Sequence, residues 1–167
     1  SPKEYANILQ VMEEVQSALG QDVIEETVRA LCDRPGPKDL ALHRELLEFP
    51  WADVFTTNYD MLLEDAAKDV ISHSYGYVYE ETDFVTAPKP RIVKVHGSFP
   101  SSRPFIVTGK DYREYERTHQ GFVNAVRQTL LENTLVLIGY SGEDPDSISI
   151  ASLSFEIFGV SIISILF

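Results

Sequence analysis

The sequence predicts an α/β domain built on a mainly parallel sheet. Stretches of helical periodicity alternate with short runs of β-branched and aromatic residues, namely Val54-Phe55, Ile92-Val93-Lys94-Val95 and Leu135-Val136-Leu137-Ile138. Each run ends in a polar loop: Thr56-Thr57-Asn58-Tyr59-Asp60, His96-Gly97-Ser98 and Gly139-Tyr140-Ser141. With 167 residues, 44% hydrophobic and 24% charged, the chain has the size and composition of one domain with a hydrophobic core.

The elements follow in order. Ser1-Pro2-Lys3-Glu4 predicts a helix start, with Ser1 as cap, Pro2 at the first helical position and Glu4 completing a capping box. Tyr5, Ile8, Leu9, Met12, Val15 and Leu19 recur at helical spacing up to a stop at Gly20. A second helix from about Asp22 is expected to bury Ile24, Val28 and Leu31. Arg34-Pro35-Gly36-Pro37 breaks the chain, and a third helix over about Lys38 to Leu47 leads through Phe49-Pro50-Trp51 into the first strand. Met61 to Val70 reads as a helix. Tyr75, Tyr77 and Tyr79 alternate as in a strand with one buried face. Glu80 to Pro90, polar with two prolines, reads as a loop, and Pro104 to Val107 as a short strand. Thr108 or Asp111 caps a helix carrying Tyr112 and Tyr115, and a further helix spans Gln120 to Glu132. The chain thus reads as a single domain over residues 1–167: a helical segment over 1–48, a motif-bearing α/β core over 49–146, and an apolar tail over 147–167.

The tail holds one charge, Glu156, and its length approaches that of a membrane span. Its β-branched residues and the lack of a basic flank favour one or two buried strands and no membrane partner. A non-native terminus also fits this composition. The net charge of −12 repels a phosphate backbone, which disfavours nucleic acid as a partner but not a small anion held by backbone amides. Cys32 is the sole cysteine, so neither a disulfide within the chain nor a cysteine-based zinc site is expected. A reducing, cytoplasmic location fits. No charged segment followed by an apolar run opens the chain, so no secretory signal is expected.

In open α/β sheets ligands sit at the carboxyl ends of the strands, so the three polar loops are expected to converge on one crevice. His96 carries the side chain best suited to move protons near neutral pH, and Gly97 lets the backbone turn sharply beside a ligand. A histidine after a strand is also commonly structural. His43, His73 and His119 read as helix-surface or loop residues. Asn58 offers a donor and an acceptor that can orient a sugar hydroxyl or a water, and it equally suits a turn. Asp60 could equally cap the following helix. Gly139 and Ser141 are small enough for close contact with a phosphate or ribose. Glu143, Asp144 and Asp146 read as a solvated acidic loop around Pro145, with no convincing metal spacing.

Together these motifs resemble the sirtuin superfamily. Sirtuins carry a Gln-Asn-Ile-Asp loop where this chain has Thr57-Asn58-Tyr59-Asp60. They carry a His-Gly-Ser loop like His96-Gly97-Ser98, and a Gly-Thr-Ser turn like Gly139-Tyr140-Ser141. The likeness is closer still to the bacterial sirtuin-like branch of antiphage-defence proteins. That branch pairs a Leu-Pro-Trp segment with Phe-Thr-Thr-Asn-Tyr-Asp; here they are Phe49-Pro50-Trp51 and Phe55 to Asp60. It also shows Thr-x-x-Asp-Tyr, as in Thr108 to Tyr112. The likeness spans about His43 to Asp146, and the order and spacing of the motifs make it specific.

The resemblance implies a Rossmann-like fold and hydrolysis of NAD, as substrate, to nicotinamide and ADP-ribose in the full-length parent. It implies a role in antiphage defence through NAD depletion. It makes His96 the base and Asn58 the residue that orients water or ribose. Asp60 would face the nicotinamide carboxamide, Gly139 and Ser141 the ribose and phosphate, and Thr57, Gly97 and Ser98 would complete the binding loops. Assembly into homo-oligomers or with further domains is implied as well. Two departures stand out. The paired zinc cysteines of sirtuin deacylases are absent, which disfavours protein deacylation and any zinc requirement. The family's opening strand and Gly-rich phosphate loop have no counterpart before Gly20, so a domain truncated at its N-terminus is expected. The alternatives are a non-catalytic nucleotide sensor or an oligomerisation module.

Overall fold

A computed structural model describes residues 2–32, 39–139 and 163–165 of the chain. Its centre is β3 (Arg91–Lys94), buried along its whole length and paired in parallel with β1 (Val54–Thr56) on one side and β2 (Gly76–Val78) on the other. The register aligns Val54 with Ile92 and Thr56 with Lys94 on one flank, and Tyr77 with Ile92 on the other. Parallel strands need crossover connections, and helices supply them. A strand so placed is covered on both faces. Ile92 packs with Leu47, Ala66, Ala67 and Tyr75, from α3 (Ala41–Leu47), α4 (Leu62–Ala67) and the approach to β2. Val93 packs on the opposite side with Val78, Val95 and Phe122, the last from α6 (Gln120–Glu132). The expected α/β architecture with parallel strands is borne out.

The N-terminal helices α1 (Pro2–Leu19) and α2 (Gln21–Cys32) pack on each other and on a third cluster around Phe105. Ile24 and Val28 are buried as expected, but Leu31 is exposed. The apolar stripe steps by four residues from Ile24 to Val28 to Cys32, which turns Leu31 outward. Between α6 and the preceding loop lies α5 (Gly109–Thr118). It opens with a full capping box: the Thr108 hydroxyl accepts from the Asp111 N–H at 3.2 Å, and the Asp111 carboxylate accepts from the Thr108 N–H at 2.9 Å.

Three expectations need correction. Pro104 to Val107 forms no strand. Its Ile106 N–H reaches the His96 carbonyl at 3.0 Å, but Pro104 has no N–H to extend a ladder, and the Arg103 guanidinium occupies the Lys94 and Val95 carbonyls. Glu80 to Pro90 is not wholly irregular. A capping box between Glu80 and Asp83 winds Glu81–Val85 into a 3₁₀ turn. The third motif strand, β4 (Val136–Ile138), does not join the β1–β3–β2 sheet; it pairs in parallel with β5 (Ile163–Ile165), which lies in the apolar tail. The expected cap at Ser1, the break at Arg34 to Pro37, the acidic loop and the rest of the tail lie outside the described residues. No helix among the described residues is long and apolar enough to cross a membrane.

The start of β1 is fixed by a buried charge pair. The Asp53 side chain is fully buried and accepts from Arg91 Nε at 3.0 Å, Arg91 Nη2 at 2.7 Å and the Arg91 backbone N–H at 3.0 Å. Removing one partner leaves the other charge buried without compensation. Asp53→Ala is expected to destabilise the fold by about 3 kcal/mol, read in urea titrations as a lower midpoint at an unchanged slope. A midpoint equal to that of the wild type would show that this pair does not anchor the sheet.

Candidate functional site

The first loop leaves β1 tightly held. The Thr56 hydroxyl accepts from the Asn58 N–H at 3.1 Å, and the Thr56 carbonyl accepts from the Val95 N–H at 3.1 Å. Tyr59 turns inward: its hydroxyl donates to the Ile106 carbonyl at 2.6 Å and its ring meets the Phe105 ring edge-on, with centroids 5.0 Å apart. Asp60 accepts from the Leu62 N–H at 3.1 Å, so one carboxylate oxygen starts α4, as its capping role anticipates. Asn58 is left exposed.

Beneath this loop lies Lys94, from the end of β3, with no solvent exposure. Its ammonium donates to the Asn58 carbonyl at 3.2 Å and to the Asp60 carbonyl, and pairs with Glu64 Oε1 of α4 at 3.3 Å. Burial raises the Glu64 carboxyl above its ordinary value, and the Lys94 ammonium opposes that shift.

The second loop carries His96, which is 6% exposed. Its ring lies edge-on to Tyr112 at 5.2 Å and to Tyr115 at 5.5 Å between centroids. Tyr115 stacks in turn on His119 at 4.7 Å, and its hydroxyl donates to the Val95 carbonyl at 2.7 Å. Burial, followed by the positive charges of Arg103 and His119, pushes His96 down to about 3. Arg103 lies over the Phe122 ring at 4.1 Å and donates to the Val95 carbonyl at 3.0 Å and the Lys94 carbonyl at 2.5 Å. Gly97 adopts φ +100°, and a Cβ there would meet Phe105 Cδ1 at 2.9 Å, so both conformation and space require glycine.

Among the described residues, β1, β4, α5 and α6 enclose a cleft of about 940 Å³. Thr57, Asn58, Asp60, His96 and Gly139 all line it, against apolar walls that include Phe55, Val126 and Leu137. The structure thus brings at least one residue of each motif loop to a single cleft, although β4 belongs to a different ladder. Gly139 has φ +78° and open space at its α-carbon. Gly97 and Ser98 are not among the lining residues: Ser98 is fully buried and its hydroxyl points to the Met61 sulfur at 3.4 Å. Ser141 lies outside the described residues. No group of three or more His, Cys, Asp or Glu side chains converges as a metal site among the described residues.

Sequence reasoning missed several of these residues. Lys94 was visible as a cation inside an apolar strand, an anomaly that calls for a buried partner. Glu64, Arg103 and the tyrosines of α5 carry no such mark. His119, read as a surface or loop residue, belongs to the aromatic cluster, because its ring stacks on Tyr115 at the junction of α5 and α6.

Residues 52–160 match the family described as the SIR2-like domain. The chain belongs to that family. The expected resemblance to the sirtuin-like branch is therefore borne out, on the segment that carries β1, β3, β4 and most of the residues lining the cleft. A relative named NAD(+) hydrolase ThsA, from Cytobacillus dafuensis, is 30% identical over 107 residues, covering 62% of this chain and 22% of that protein. Defense-associated sirtuin 2 from Bacillus subtilis is 26% identical over 144 residues, 84% of this chain and 14% of that protein. The NAD(+) hydrolase ThsA of Enterococcus faecium is 26% identical over 109 residues, again 62% of this chain and 22% of the relative. This SIR2-like chain thus spans about a fifth or less of the length of these relatives.

The depressed basicity of His96 has a consequence for stability. Above pH 6.5 the ring is neutral in both folded and unfolded chains. As pH falls from 6.5 toward about 3, the unfolded chain takes up a proton that the folded one refuses, so stability is lost on acidification. Between pH 7.5 and 5.5 the His96 contribution is expected to cost about 1 kcal/mol. Denaturant titrations at the two pH values should show a larger loss for the wild type than for His96→Gln. Equal losses would mean that the buried imidazole does not resist protonation.

Proposed function

We propose that this SIR2-like domain serves the hydrolysis of NAD to nicotinamide and ADP-ribose in the full-length protein, and that the protein acts in antiphage defence. The observation that carries the reading is the convergence of Asn58 and His96 on one cleft beside Gly139. The names of the relatives, NAD(+) hydrolase and defense-associated sirtuin, support it.

The chemistry follows from the groups present. Cleavage of the bond between nicotinamide and ribose develops positive charge on the sugar, as in other glycosyl transfers. His96, neutral at pH 7, is in the form that accepts a proton from water or from a ribose hydroxyl. The exposed Asn58 amide orients that water or the ribose. Asp60 lines the cleft where a carboxamide can donate to its free lone pairs, and Thr57 adds a hydroxyl beside it. Gly139 lets a ribose or phosphate approach the backbone, with Ser141 two residues on in sequence and Gly97-Ser98 shaping the base of the His96 loop. Burial of His96 strengthens its polar contacts by excluding bulk water.

The low basicity of His96 also favours a second reading. A ring that gives up its proton so readily is a weak base, which suits a nucleotide-binding sensor that does not turn its ligand over. NAD turnover separates the two. We further propose that the protein is cytoplasmic, that it acts in a homo-oligomer or with further domains, and that it needs no zinc. Elemental analysis of the purified protein is expected to find no stoichiometric zinc, and finding it would reopen protein deacylation as the activity.

His96→Ala and Asn58→Ala, made in the full-length protein, are each expected to lower nicotinamide release by about a hundredfold or more. Asn58→Ala should leave the melting temperature unchanged, because its side chain is exposed. His96→Ala opens a cavity between Tyr112 and Tyr115 and should lower it, so circular dichroism must accompany the assay. Normal turnover in a folded His96→Ala protein would refute the catalytic assignment.

A further inference from the structure

Lysine is almost never fully buried unless it is paired. Lys94 occupies the last position of a strand whose neighbours Ile92 and Val93 are wholly buried and apolar. Its ammonium donates to two carbonyls, those of Asn58 and Asp60, and faces Oε1 of Glu64 as a charge partner. Glu64 is itself 2% exposed, and neither of its carboxylate oxygens has a hydrogen-bond partner among the described residues, so its Oε1 meets the ammonium as an ion pair at 3.3 Å. A buried pair of this kind is poorly explained by stability, since apolar residues of similar volume commonly do as well or better. What an apolar residue cannot do is hold two backbone carbonyls of one loop from below.

We propose that Lys94, with Glu64, is a positioning residue that sets the shape of the loop from Thr57 to Met61 and so presents the Asn58 side chain to the cleft. The ammonium fixes the carbonyls on either side of Tyr59, while the Tyr59 hydroxyl ties the loop to the Ile106 carbonyl. The loop backbone is thereby held at two points, which sets where the Asn58 side chain starts relative to the His96 loop. Glu64 supplies the countercharge that lets the ammonium stay buried. The consequence for catalysis rests on the reading of the site as an NAD hydrolase; the consequence for the loop does not.

The test uses the full-length protein and the double substitution Lys94→Met with Glu64→Leu, which removes both charges and keeps the volume. Melting temperature, nicotinamide release from NAD, and deuterium exchange of the amides of residues 57–61 are measured together. The expected result is a folded protein melting close to the wild type, with exchange in residues 57–61 at least about tenfold faster and turnover lower by about a hundredfold, as misplacement by about 1 Å can produce. Wild-type exchange and turnover in the folded double variant would overturn the proposal. A double variant that does not fold would assign the pair to the stability of the whole domain and overturn it as well. If the wild-type protein releases no nicotinamide while the loop exchange still rises in the variant, the functional reading fails and the positioning role stands.

Discussion

A central strand buried on both faces has no solvent in which to leave a charge, yet β3 begins with Arg91 and ends with Lys94. Each cation is resolved against the same neighbour, the β1 segment. Arg91 meets Asp53 just before β1, and Lys94 meets the carbonyls of Asn58 and Asp60 just after it. The two strands are therefore pinned at both ends, which leaves the parallel register of Val54 with Ile92 and Thr56 with Lys94 no room to slip. A shift by one residue would separate both cations from their partners and move the apolar side chains to the wrong faces. The position of the Asn58 loop relative to His96 follows from that register, since both leave adjacent strands at the same edge.

The same economy of buried charge shapes the second loop. Arg103 binds the carbonyls at the end of β3, and its guanidinium rests on Phe122 in place of a carboxylate partner. That places positive charge beside His96 and helps keep the imidazole neutral. The two tyrosines of α5 then fix the plane of the ring, and Gly97 carries the chain away under Phe105 without a side chain in the way. A histidine on a surface loop would titrate near its ordinary value and turn freely. This one does neither.

Much of the fold was legible because its signals are local. Alternating periodicities marked the helices and strands, and of the two residues expected as alternative caps of α5, Thr108 is the N-cap and Asp111 completes its box. The convergence of Asn58, His96 and Gly139 on one cleft was legible for the same reason: each lies in a loop that follows an apolar run, where strand ends present their loops. What was hidden depends on pairing across the chain. Lys94 and Glu64 are separated by most of two crossovers, and nothing near Glu64 distinguishes it from a solvated helix carboxylate. The same holds for His119, whose stacking on Tyr115 depends on the angle between α5 and α6. Pro104 to Val107 misled because its residues favour a strand, while the partner carbonyls it would need are held by Arg103.

The charge state of the cleft bears on the proposed chemistry. The chain as a whole is strongly acidic, and the described residues that line the cleft include the charged side chains Asp53, Asp60, Arg113 and Glu116, with Asp60 the one carried by the Asn58 loop. A protonated His96 would oppose the positive charge that develops on the ribose as nicotinamide departs. A neutral ring would not, and a carboxylate lining the cleft, such as Asp60, would favour that charge. Under the proposed reaction, the burial that makes His96 a weak base in the free protein would also remove a barrier to the bond cleavage. A ring that accepts a hydrogen bond from the ribose or from water, and takes the proton only as that group is consumed, is consistent with both constraints.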